Sequence, residues 1–156
     1  MRVHLCVVGR IRSGPERALI DDYLVRFDRT GRPLGLGPVS VCEVEDRKGG
    51  GTEAEAALLS RAIPSGAFVT AMDERGRTMP SPDMAAMIAR VRDSGRQDMA
   101  FLIGGADGLS PHLRASADQL LSFGPMVWPH MLARVMLSEQ LYRAASILAG
   151  APYHRE

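Results

Sequence analysis

Phe101-Leu102-Ile103-Gly104-Gly105-Ala106-Asp107-Gly108-Leu109-Ser110-Pro111 passes from an apolar run, through a glycine loop, into a helix start. The run from Met99 to Ile103 is apolar at every position rather than at alternate ones, which predicts a strand covered on both faces. Glycines directly after such a strand permit a tight turn and let a second group approach the backbone closely. Ser110 then offers a side-chain cap and Pro111 a first-turn proline, so a helix follows. Strand, glycine loop and helix in that order form the building unit of α/β folds, whose ligands sit beyond the carboxyl ends of the strands.

The same alternation extends outward in both directions. Val3 to Gly9 predicts a buried strand, and Ser13-Gly14-Pro15 opens a helix with Ala18, Leu19, Tyr23, Leu24 and Phe27 along one side. Thr30 to Pro38 is a glycine- and proline-rich loop, Val39 to Val44 a second strand, and Lys48-Gly49-Gly50-Gly51 a turn. Thr52-Glu53-Ala54-Glu55 has the form of a capping box before a helix to about Ile63. Ala67 to Met72 predicts the third strand, and Ser81-Pro82-Asp83 caps a helix to Ser94. Beyond the glycine loop, the expected elements are a helix to about Leu121, a short fifth strand at Met126 to Trp128, and a last helix from Pro129 to about Leu148. The expected fold class is therefore α/β, a parallel sheet flanked by helices, in a single domain spanning residues 1–156.

Composition narrows the function classes. The 156 residues are 46% hydrophobic and 24% charged, close to globular averages. Nineteen basic residues oppose eighteen acidic ones for a net charge of +1, and Lys48 is the only lysine. The sequence pI near 7.9 falls short of the value above ~9 typical of domains held to nucleic acid by bulk charge. Recognition by individual Arg forks remains open. Residues 1–32 hold seven Arg against four acids, so the near-neutrality averages unlike regions. No apolar run reaches the ~18 residues of a membrane helix, and the opening MRVHLCVVGR has no secretory cleavage pattern. Cys6 and Cys42 stand alone in apolar runs, which predicts two buried, reduced thiols in a cytoplasmic protein and no metal site.

The glycine loop lacks GxxxxGK[ST] and does not fit GxGxxG, and Asp107 would repel a pyrophosphate. A ligand with a cationic or hydroxyl-rich part and one carboxylate suits it better, although the glycines equally serve a tight turn. Glu139 and Arg143, four residues apart on the last helix, read on their own as an ion pair worth ~0.3–0.5 kcal/mol. Tyr153-His154-Arg155 puts an aromatic ring, an imidazole and a guanidinium into a tail that by default frays.

Four spaced motifs together resemble one family: Phe101 to Ser110; Trp128-Pro129-His130 with Arg134 and Val135; Glu139-Gln140-Leu141-Tyr142-Arg143-Ala144; and Tyr153-His154-Arg155-Glu156. They resemble the bacterial ribosomal RNA large subunit methyltransferase H family of the SPOUT class, and the likeness runs over essentially the whole chain. The resemblance implies an α/β fold with a C-terminal trefoil knot, S-adenosylmethionine as methyl donor, a homodimer, and methylation of N3 of a pseudouridine in 23S ribosomal RNA on the assembled ribosome. It also implies cofactor contacts from Met72, Gly104, Gly105, Phe123, Gly124, Pro125, Met126, Val127 and Trp128, with Met72 where relatives often carry Leu. For the chemistry it points to His154 as base, Arg143 and Arg155 as holders of ring oxygens or phosphate, and Tyr153 as a stacking platform. Placed beside it, His130 reads as structural. The competing readings are a transfer RNA methyltransferase of the same class, a non-catalytic ribosome-binding protein, and a flavodoxin-like nucleotide binder that the missing phosphate loop disfavours.

Overall fold

Along β1 (Arg2–Val8), Val3, Leu5 and Val7 enter one core and Cys6 and Val8 the other. β4 (Asp98–Ile103) divides in the same way, with Met99, Phe101 and Ile103 on one face and Ala100 and Leu102 on the opposite face. A central strand buried on both sides requires helices on both sides, and the computed structural model, which describes residues 1–154, has them. The sheet runs β2-β1-β4-β3-β5 and every pairing is parallel, where β2 is Val39–Val44, β3 Phe68–Arg77 and β5 Gln119–Leu121. One face carries α1 (Pro15–Gly31), α3 (Ser81–Asp93) and α5 (His130–Leu148), through Ile20, Leu24 and Phe27, Met84 and Ile88, and Leu137 and Leu141. α2 (Gly51–Ala62) and α4 (Pro111–Ser116) cover the other face through Ala56, Leu59 and Leu113.

The fifth strand differs from the expectation. It lies at Gln119–Leu121, while Met126, Val127 and Trp128 are 67%, 83% and 39% exposed. α4 ends after six residues at Ser116 instead of reaching Leu121. The reason lies in Asp118, whose carboxylate accepts from the backbone N–H of Val69 at 2.7 Å and draws the chain alongside β3. Apolar residues were available in both segments, and pairing geometry chose between them.

Smaller corrections follow from similar competition. Thr52 does not form a capping box: α2 begins at Gly51, and the Asp46 carboxylate receives the N–H groups of Lys48 (3.0 Å) and Gly50 (2.5 Å) before it. Ser81 does not cap α3, because its hydroxyl donates to Gln140 Oε1 of α5 at 2.7 Å. Ser110 does cap α4, accepting from the N–H of Leu113. Cys42 is exposed, since β2 is an edge strand with only β1 beside it, whereas Cys6 is fully buried. On α1 the buried face is Ile20, Leu24, Phe27 and Gly31, and Leu19 lies 45% exposed.

From β5 at one edge, residues 122–129 lead to α5, and Ser122 to Gly124 and Met126 to Trp128 line a cleft with the carboxyl ends of β3 and β4. Arg134, only 2% exposed, anchors that helix. Its guanidinium donates to the carbonyls of Val8 and Gly9 at the end of β1 and pairs with Glu43 of β2 at 3.2 Å. The last helix is thus fixed across the sheet from the edge that precedes it.

Candidate active site

Three segments that are remote in sequence end on the same side of the sheet because the strands are parallel. Met72 to Arg75 leaves the straight part of β3, Ile103 to Gly108 leaves β4, and Leu121 to Gly124 with Met126 to Trp128 leaves β5. Together with His130 and Ala133 they line one cleft of about 290 Å³.

The glycine loop is the tight turn weighed from the sequence, and it also lines the cleft. An added Cβ on Gly104 would stand 2.5 Å from the backbone C and O of Gly108 and 2.8 Å from the nitrogen of Leu109. The loop therefore folds back onto Gly104, and the N–H of Gly108 closes it on the carbonyl of Gly105 at 3.1 Å. Its outer surface lines the cleft. Gly105 sits against the Glu55 carboxylate and the Val8 side chain. Burial, followed by the nearby charges of Asp107 and Asp46, pushes the Glu55 carboxyl upward from its ordinary value. In the third segment the Ser122 hydroxyl accepts from the N–H of Gly124 at 3.0 Å and faces its carbonyl at 3.1 Å, with Gly124 at φ +109°. That left-handed backbone suits glycine alone.

The cleft lining is partly apolar, through Met72, Ile103, Leu121, Phe123 and Trp128, and partly polar. Asp73, Glu74 and Asp107 bring carboxylates, and Arg75 and His130 bring nitrogen groups. Asp73 is pinned by Arg75 at 3.3 Å and Arg114 at 3.7 Å. Burial, reinforced by the charge of Arg134, holds the His130 imidazole below its ordinary pKa, which favours the neutral ring. His130 thus lines the cleft rather than serving structure alone. Among the described residues no group of three or more His, Cys, Asp or Glu side chains could hold a metal ion.

Of the expected cofactor contacts, Met72, Gly104, Gly105, Phe123, Gly124, Met126, Val127 and Trp128 line the cleft together; Pro125 is not among its lining residues. The expected catalytic residues gather elsewhere. Arg143, Tyr153 and His154 collect around Glu139, which lines a neighbouring apolar groove of about 460 Å³ with Leu19, Tyr23, Met84, Phe123 and Val135. Groove and cleft share Leu121 to Gly124 as a wall. Arg155 lies outside the described residues.

Glu139 is the residue that the sequence left as an ordinary ion pair. Its Oε1 accepts from Arg143 Nε (3.0 Å), Arg143 Nη2 (2.5 Å) and the Tyr153 hydroxyl (2.9 Å). Oε2 accepts from Gln140 at 2.8 Å. Tyr153 packs against Tyr142 with centroids 4.4 Å apart and the ring planes tilted by 51°, and the Arg143 guanidinium lies 4.9 Å from the Tyr153 ring centre. Arg143 Nη1 reaches His154 Nδ1 at 3.3 Å. Burial first, and then Glu139, pushes the Tyr153 phenol upward, so it remains a neutral donor. The i,i+4 spacing of Glu139 and Arg143 was the available signal; the return of Tyr153 to the same carboxylate was not readable.

Comparison with known proteins bears on the family and the fold. A family model described as a predicted SPOUT methyltransferase matches residues 1–154. The ribosomal RNA large subunit methyltransferase H of Dinoroseobacter shibae is 72% identical over 155 residues, covering 99% of both chains. Proteins of the same name from Ruegeria pomeroyi and Cereibacter sphaeroides are 66% and 68% identical at the same coverage. Among solved structures, a probable methylase family protein from Haemophilus influenzae superposes with a TM-score of 0.54 at 12% identity, covering 99% of this chain and 70% of that one. A probable methyltransferase from Bordetella pertussis gives 0.52 at 14% identity, covering 92% and 96%. These two likenesses speak for the fold, while the family match and the full-length identities carry the assignment: the chain belongs to the SPOUT methyltransferase family.

Proposed function

We propose that this protein methylates N3 of a pseudouridine in 23S ribosomal RNA on the assembled ribosome, with S-adenosylmethionine as methyl donor. The observation that carries the reading is the convergence of three distant segments, at Met72, Gly104 and Phe123 to Trp128, on one cleft at the carboxyl ends of the strands. The full-length identity to proteins named for ribosomal RNA methylation supports the substrate class. The lining suits the donor's chemistry. Trp128, Phe123 and Met72 offer an apolar wall for a nucleobase; Asp73, Glu74 and Asp107 offer carboxylates for hydroxyl and ammonium groups. When bound, S-adenosylmethionine supplies a methyl group activated by its sulfonium.

The protein's own task is then largely positional, since holding the nucleophile against the methyl group in line replaces a bimolecular encounter. N3 of an imide is a weak nucleophile while protonated, so charge developing on the ring must be stabilised as the proton leaves. Arg143, Tyr153, His154 and Arg155 are the residues proposed to do this. The described members stand on Glu139 rather than in the cleft, which supports a homodimer in which one subunit's tail serves its partner's cleft. The exposed Leu19, Met126, Val127, Trp128, Met131 and Leu132 are the kind of surface a second copy would cover. The gathering of residues 122–128 with the ends of β3 and β4, ahead of an α5 pinned by Arg134, supports the C-terminal trefoil knot. Cytoplasmic location follows from the substrate, and no helix among the described residues is long and apolar enough to cross a membrane.

The deciding experiment offers labelled S-adenosylmethionine with whole ribosomes, large subunits or free RNA, and identifies the product by mass spectrometry. N3-methylpseudouridine in 23S RNA is the expected product. Methylation of transfer RNA alone, or donor binding without transfer to any RNA, would overturn the proposal in favour of the two alternative readings.

A further inference from the structure

Glu139 gathers the tail into one hydrogen-bonded cluster, and the geometry bears on the state of His154. Arginine carries donors only, so the 3.3 Å contact from Arg143 Nη1 requires the Nδ1 lone pair of His154 as acceptor. A neutral imidazole has one proton, which must then sit on Nε2. Nδ1 cannot receive a substrate proton while it accepts from the guanidinium, and Nε2 already carries one. Among the described residues Nε2 has no partner.

We propose that Glu139 is a positioning residue which, through Arg143, fixes His154 as the Nε2–H tautomer, so that His154 donates a hydrogen bond to a ring oxygen of the substrate instead of acting as base. This rests on the methyl-transfer reading above and refines the role of the tail within it. The N3 proton passes to solvent hydroxide. The negative charge left on the imide is spread over its oxygens, where Nε2–H and the guanidinium can meet it. N3 then forms its bond to the methyl carbon as the carbon–sulfur bond breaks with its electron pair moving to sulfur. A donor aimed at developing charge is an established source of rate, and it needs the fixed geometry that Glu139 provides. The Glu139 side chain is 17% exposed and that of Arg143 25% exposed. Three donors converge on a single oxygen of Glu139. An isolated surface ion pair has neither property.

The test combines a spectrum with kinetics. Nitrogen-15 imidazole spectra of the whole protein, at a pH where the ring is neutral, should show His154 in the Nε2–H form, assigned by the peak lost in His154→Gln. Glu139→Ala should convert that signal to a tautomer mixture and lower kcat about a hundredfold while leaving KM for S-adenosylmethionine within twofold; Glu139→Asp should restore part of both. His154→Gln, which retains a donor but cannot act as a base, should lose no more than about tenfold in kcat, whereas loss of a base costs ~10²–10⁴-fold. An Nδ1–H signal in the wild type, a base-sized loss in His154→Gln, or an unchanged tautomer in Glu139→Ala would each overturn the assignment. The spectra need no RNA, so absence of methyl transfer would refute the functional reading while the tautomer result stood or fell by itself.

Discussion

Replacing Gly104 by Ala separates the packing demand of the glycine loop from its backbone dihedral demand. The new Cβ would lie 2.5 Å from the Gly108 carbonyl group and 2.8 Å from the Leu109 nitrogen, all backbone atoms that cannot rotate away. To reach ordinary contact at 3.4 Å the loop must retreat by about 0.9 Å. That displacement strains the Gly108-to-Gly105 closure and moves one wall of the cleft. Overpacking of this kind costs about 1–3 kcal/mol, and at roughly 2–4 °C per kcal/mol for a chain of this size the melting temperature should fall by about 2–12 °C. Gly105→Ala is the internal control. Its Cβ would meet Val8 Cγ1 and the flexible Glu55 carboxylate at 3.1 Å, which yield by a few tenths of an ångström, so the cost should be about 1 kcal/mol or less. Thermal unfolding by circular dichroism and calorimetric titration with S-adenosylmethionine make the comparison. Gly104→Ala should also lose at least about tenfold in affinity, equivalent to about 1.4 kcal/mol. Equal melting temperatures and equal affinities for the two variants would refute the account of the loop.

Arg134→Met should destabilise the fold by about 3–5 kcal/mol, because it strips the Val8 and Gly9 carbonyls of their donor and leaves the Glu43 charge with only the Ile11 N–H; urea unfolding measures it, and a loss under 1 kcal/mol would count against the anchor. The Asp98 carboxyl is held down at about 2 by hydrogen bonds from Arg2 and then His4, despite an opposing effect of burial. Since its folded pKa lies below the unfolded one, its contribution is fully present above about pH 4 and is lost as the pH falls toward 2. Asp98→Asn should therefore flatten the stability profile across that window, as acid titration of the urea midpoint would reveal. Cys42, exposed on the edge strand, should react with a thiol reagent in the native protein. Cys6 should react only on unfolding, because burial, with a further contribution from Cys42, pushes its pKa up to about 12. Two fast thiols would contradict the burial of Cys6.

Local sequence carried the elements whose burial is complete. β4 reads as a two-faced strand because its five apolar residues, Met99 to Ile103, are all buried, and Ser110 caps α4 because a hydroxyl one turn from an N–H needs nothing else. The proposed cofactor contacts were accessible only through the resemblance, since a glycine loop alone equally describes a tight turn, and here it is one. Where the sequence misled, two local solutions had competed. Met126 to Trp128 is as apolar as Gln119–Leu121, yet the bond from Val69 to Asp118 gave the strand to the latter. Thr52 and Ser81 had capping spacing, yet Asp46 and Gln140 offered the partners actually used. His130 read as a structural residue, and the structure adds that it lines the cleft.

By itself the sequence determined the alternating strand and helix order, the doubly buried central strands and the family, because periodicity, glycine and proline placement and spaced motifs are all local in the chain. The tertiary structure decided which strand lies at the edge, where the fifth strand falls, and that Arg143, Tyr153 and His154 meet on Glu139. Those outcomes depend on contacts between segments far apart in the chain, and in the tail on a turn that folds Tyr153 back along α5. Local propensity is silent on both.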